Sequence, residues 1–137
     1  MTDSEIAKKN LEGHTLSLCR DGVCLTSDKR GIAPILDFIA RGYDLSGFSL
    51  ADLVVGKAAA LLFAKAGIAC VHAEVLSEGG RESLEKFKIP YTFDCIAKNI
   101  VNRDGTDICP MEKTVEKIDD VEEGYEALVR KVAQMKR

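Results

Sequence analysis

His72-Ala73-Glu74 is the tripeptide whose spacing most directly suggests chemistry. A His-x-Glu pair is half of the set used for zinc-dependent deamination of bases and nucleosides. There the histidine and a Pro-Cys-x-x-Cys pair hold the metal, and the glutamate shuttles protons to and from the metal-bound water. The second half has no counterpart. Two cysteines three apart are needed to reach one ion from a single helical turn. Cys95 and Cys109 lie far apart, and Cys109-Pro110 reverses the order. The setting differs too. Residues 68–76 read as a strand, so alternation turns Cys70, His72 and Glu74 to one face instead of setting them on a helical turn. No zinc and no other cofactor is expected, and His72 and Glu74 read as strand residues, hydrogen-bonded or solvated.

Three other places could act. Gly56-Lys57 lies where a strand feeds a helix, a junction whose free amides and helix dipole favour anions. No Walker-type glycine pattern surrounds it, so a P-loop is excluded. Cys109-Pro110-Met111-Glu112 reads as a helix start, with Cys109 at the cap, Pro110 in the first position and Glu112 in the third. A thiol so placed gains thiolate character, against which a nearby Glu112 would work. Asn102, Arg103 and Asp104 open a polar loop. If the two strand ends share an edge, Lys57, Arg103 and the amides opening the Pro110 helix converge on one anion, with the Cys109 sulfur at its rim. Cys109 and Lys57 are then the catalytic candidates. Gly56, Lys57, Asn102, Arg103, Asp104 and Glu112 are the ligand-binding ones. The plain alternatives are a turn glycine, a solvated lysine, an inert capping thiol and ordinary loop residues.

The elements that would position these groups follow from pattern. A chain of 137 residues, 46% hydrophobic and 30% charged, fits one globular domain spanning 1–137. The formal net charge of −3 gives no general electrostatic reason to bind nucleic acid or a membrane surface. No signal core follows Met1, so a cytoplasmic location is expected, with the five cysteines as thiols. Residues 4–11 suggest a short helix ended by Gly13. Asp21-Gly22 between alternating runs at 14–20 and 23–27 calls for a two-residue hairpin, because both turn positions need positive φ. That register sets Arg20 opposite Val23 and Cys19 opposite Cys24, two thiols within bridging reach. Leu16, Leu18, Val23 and Leu25 share the expected buried face.

Helical spacing marks 32–41, 58–66 and 81–88, and buried-strand character marks 51–55, 68–76 and 90–97. Residues 110–136 read as helix in one or two pieces. Within them Val121, Tyr125, Leu128, Val132 and Met135 make a face expected to pack on the sheet, or, as the alternative, a dimer seam. The result is a three-layer α/β/α fold with a mixed sheet of about five strands, an antiparallel hairpin joined to parallel strands.

Two blocks carry a likeness. Leu53-Val54-Val55-Gly56-Lys57-Ala58-Ala59-Ala60 and Asn102-Arg103-Asp104-Gly105-Thr106-Asp107-Ile108-Cys109-Pro110-Met111-Glu112-Lys113 resemble a small prokaryotic family of unknown function. That family has a cytidine-deaminase-like fold without the zinc site. The resemblance runs from about the hairpin to the last helix. It implies that residues 56–60 and 78–82 fill the two slots where deaminases carry their metal ligands, and neither holds a ligand set. It brings no activity with it.

Two functions remain. One is binding of a small anionic or nucleotide-like ligand through a zinc-free deaminase-like site, with catalysis left open. The alternative is a non-catalytic regulatory or protein-interaction domain. Monomer and homodimer are both open.

Overall fold

The computed structural model describes residues 1–102 and 104–135. Five strands form one sheet in the order β2-β1-β3-β4-β5, and six helices are found among the described residues. The hairpin β1 (Leu16–Arg20) and β2 (Val23–Ser27) turns through Asp21 and Gly22, at φ 48° and 84°. Its register is the one the turn dictates, with Arg20 opposite Val23 and Cys19 opposite Cys24. Strand β1 also pairs antiparallel with β3 (Ser49–Val55). From there the sheet is parallel, through β4 (Cys70–Ser77) to β5 (Tyr91–Ala97).

Each parallel step carries a helix. After β3 comes α3 (Lys57–Ala66), closed by Gly67 at φ 76°, and after β4 comes α4 (Glu78–Lys86), capped by the Ser77 hydroxyl. Both crossovers move the same way along the sheet, so their right-handedness sets the two helices side by side on one face. The principal core lies beneath them, built on Leu18, Leu50, Leu62, Phe63, Ala73 and Leu84. On the opposite face α1 (Asp3–Asn10) lays Ala7, with the following Leu11, over Cys19 and Ala51. A capping box joins Thr2 and Glu5 at its start.

The short α2 (Ala33–Ala40) has Pro34 in its first turn. The chain ends in α5 (Pro110–Val115) and α6 (Val121–Met135). Two expectations need correction. Val23 is 57% exposed, because it stands beside the turn on β2, the edge strand of the sheet. The apolar face of α6 packs chiefly on α3, Gly124 letting the Leu61 side chain come close, so α6 is a second layer over a helix instead of a cover for the sheet. Leu128 is buried at this contact and Met135 is exposed. No helix among the described residues is long and apolar enough to cross a membrane.

Candidate functional site

The carboxyl ends of β3, β4 and β5 lie along one edge, and the chain beyond β5 folds back over the first of them. Cys109 sits at the cap position of α5, its amide donating to the Ile100 carbonyl at 2.8 Å. Glu112, in the third position, does not reach back to its own helix start. Its carboxylate crosses to the beginning of α3 and accepts from the amides of Lys57 and Ala58 at 2.8 and 2.9 Å. Those are the donors at which an anion was expected. An acidic side chain of this chain holds them, complementing both the free amides and the helix dipole.

Gly56 makes the approach feasible. A Cβ there would stand 2.1 Å from a Glu112 oxygen and 2.4 Å from Ile100 Cδ1. Its φ of −119° is open to any residue, so the requirement is for space and not for backbone freedom. The start of α4 is equally close: a Cβ on Gly80 would lie 2.8 Å from the Val55 carbonyl oxygen.

Lys57 turns to the far side of this cap. Its ammonium donates to the Glu116 carbonyl at 3.1 Å and to Asp119 at 3.3 Å. It lines a hollow of about 300 Å3 with Gly79, Glu82, Lys86 and Asp119. The Lys57 hydrogen bond, helped by the Lys57 and Lys86 charges, holds the Asp119 carboxyl below the usual range. On the near side, Gly56, Asn102, Asp104, Cys109 and Glu112 all line an open cleft of about 990 Å3. The structure therefore gathers five of the expected residues along this cleft and turns the Lys57 ammonium away from it, into the hollow on the other side of Glu112. Arg103 lies outside the described residues. Asn102 shapes its loop by accepting from the Thr106 amide at 3.1 Å.

The cleft also contains a residue that the sequence reading passed over. Asp52 lies in the middle of β3, paired with Leu16 and Ala73, and is 9% exposed. Its carboxyl accepts from the Leu53 amide at 2.8 Å. No cation or hydroxyl among the described residues bonds it. Burial, only partly offset by the Leu53 and Val54 amides, pushes its pKa up to about 8. A neutral carboxylic acid thus faces a largely apolar space walled by Ile32, Leu53, Val54, Met111 and Val132, with Arg30 at the mouth. The signal was present as a single acid inside the apolar run Ser49-Leu50-Ala51-Asp52-Leu53-Val54-Val55.

The His72-Ala73-Glu74 segment lies in β4 as expected. His72 is buried, its Nδ1 2.7 Å from the Thr92 hydroxyl and its Nε2 3.5 Å from an Asp94 oxygen, while Glu74 is exposed. Among the described residues no three histidine, cysteine or acidic groups cluster closely enough to hold a metal ion.

The chain belongs to the family described as a domain of unknown function (DUF1893), whose model matches residues 6–132. Among solved structures it is similar to a DUF1893 family protein (TM1506) from Thermotoga maritima. The identity is 27% and the TM-score 0.85, over 93% of this chain and 88% of that one. No curated protein matches it.

Proposed function

We propose that this DUF1893 chain binds a small molecule, a compact heterocycle of nucleobase type seated over Asp52. One observation carries the reading: a carboxyl only 9% exposed lines a cleft of ligand size, with no cation or hydroxyl bonded to it among the described residues. Burying such a group is unfavourable, and perturbed carboxyls collect at functional sites. A neutral carboxyl offers a donor and an acceptor side by side, the complement of an N–H beside a ring nitrogen or carbonyl. The apolar walls suit the faces of a flat ring. Arg30 at the mouth suits the charged substituent of a nucleotide-like ligand. Cys109 and Glu112 border this space; Cys109 is a candidate for chemistry on a bound ligand, and Glu112 serves the helix start.

We read the fold as cytidine-deaminase-like over one domain, 1–137, without the zinc site. The strand order and the placing of residues 56–60 and 78–82 at two adjacent helix starts support this. The protein-interaction reading has one feature in its favour, the exposed Phe93 and Ile96 on the edge strand β5.

The test is titration of free bases, nucleosides and adenosine monophosphate against the isotope-labelled chain, followed by amide NMR. Shifts are expected at Leu53, Val54, Gly56 and Ile100. They should survive Asp52→Asn, which keeps a donor and an acceptor, and vanish with Asp52→Leu. No response to any probe, or a response indifferent to Asp52→Leu, overturns the reading.

A further inference from the structure

We propose that Cys19 and Cys24 form a reversible dithiol–disulfide couple that ties the outer strand of the hairpin to the sheet. The two residues face each other across β1 and β2, and their sulfurs are 2.7 Å apart. The Asp21-Gly22 turn fixes this register, so the juxtaposition is built in by the backbone. The pair is independent of the cleft over Asp52, whose lining includes neither cysteine.

The two sulfurs are unequal. Cys24 is exposed, whereas Cys19 is fully buried beneath α1 with Ala7, Leu11 and Ala51. Burial, with the neighbouring Cys24, pushes the Cys19 thiol up to about 11. An oxidant therefore meets Cys24 first, and Cys19 acts as the resolving thiol.

With a small-molecule disulfide such as oxidised glutathione the steps balance. The Cys24 thiol gives its proton to water, and its sulfur attacks one glutathione sulfur. The glutathione disulfide breaks, and one glutathione leaves as thiolate and is protonated. The Cys19 sulfur then attacks Cys24 in the mixed disulfide, releasing its own proton and the second glutathione. The net change is two protein thiols oxidised to one disulfide, and one glutathione disulfide reduced to two thiols. Closure would staple β2, an edge strand with most of its residues exposed, to the central sheet.

The chain carries its own control. Cys95 is exposed on β5, and no sulfur lies within bonding distance of it among the described residues. The full chain is to be incubated with oxidised glutathione and mapped by peptide mass spectrometry over time. The expected result is that Cys95 acquires glutathione and keeps it. Cys24 acquires it transiently, and the thiols of Cys19 and Cys24 disappear together as one intramolecular disulfide that dithiothreitol reopens. Cys19→Ala should leave glutathione permanently on Cys24. Should that variant fail to fold, Cys24→Ala, at an exposed position, should leave Cys19 unmodified under the same conditions. Stable glutathione on Cys24 of the unaltered chain, or pairing of either cysteine with a different one, overturns the proposal.

Discussion

Glu112 and Asp52 are two carboxylic side chains lining one cleft, and they differ in what holds them. Glu112 lies half-buried with two backbone donors aimed at it, and the positive end of α3 behind them. Asp52 lies deeper, bonded only by amides of its own strand, and the cost of burying its charge keeps the proton on. The first arrangement is complete within the chain, because each polar group finds its partner. The second is open, and an open polar group at the base of a cleft is the place for a ligand to supply the missing partner. The difference separates a residue that builds the site from one that can read what enters it.

The sharpest way to break this contrast is Glu112→Ala. Removing two charge-assisted bonds and leaving the α3 amides short of partners should cost about 3 kcal/mol of stability. Urea denaturation measures it. A loss below about 0.5 kcal/mol, the scatter expected of plain surface changes, would show that water satisfies those amides as well.

The pH dependence of Asp52 comes next. Its carboxyl titrates at about 8 in the folded chain and at an ordinary 3.8 when unfolded. Between those values the folded state holds a proton that the unfolded state has lost. Stability therefore falls as pH rises from about 4 to about 8, by about 6 kcal/mol at most, and levels off above. Asp52→Asn should remove that slope. Its urea midpoint should match the unaltered chain near pH 4 and exceed it above pH 8. Parallel curves across the range would show that Asp52 is ionised when folded, and the contrast with Glu112 would disappear.

The smallest effect is expected on the far side of the cap. Asp119 pairs with Lys57 and Lys86 but is mostly in water, so Asp119→Asn at neutral pH should leave the melting midpoint within experimental scatter. A clear drop would mean that the Lys57 hollow is held by more than solvent-exposed charge.

How much of this was legible depended on how local each cause is. The hairpin could be read outright, since Asp21-Gly22 fixes the turn, the turn fixes the register, and the register sets Cys19 against Cys24. The stop at Gly67 and the first-turn Pro34 were local in the same way. Glu112 was not. Its position three residues past Cys109 matches a cap of its own helix, and only the folded chain brings it to Lys57 and Ala58. Sequence reasoning placed Lys57, Cys109 and the Asn102 loop at one sheet edge, but could not know that Lys57 would face away from the other two. Asp52 was legible in principle, as an acid in a buried strand, and was hidden by the apolar run around it. The face of α6 was identified from its spacing, but its partner was not, since periodicity says that a face is buried and not what covers it.

The cap from Glu112 has a consequence in time. It joins positions 55 residues apart, so the helix that opens the parallel half of the sheet begins life unfinished. In a chain emerging from a ribosome, the start of α3 waits for this carboxylate until β4, α4 and β5 have been made and α5 has followed. Loop-closure entropy over such a span is paid before the contact can reward it, so the cap is expected to close late in folding. The loss of Glu112 should then speed unfolding and leave refolding nearly untouched, making this carboxylate a latch on the finished molecule and not a guide to its assembly.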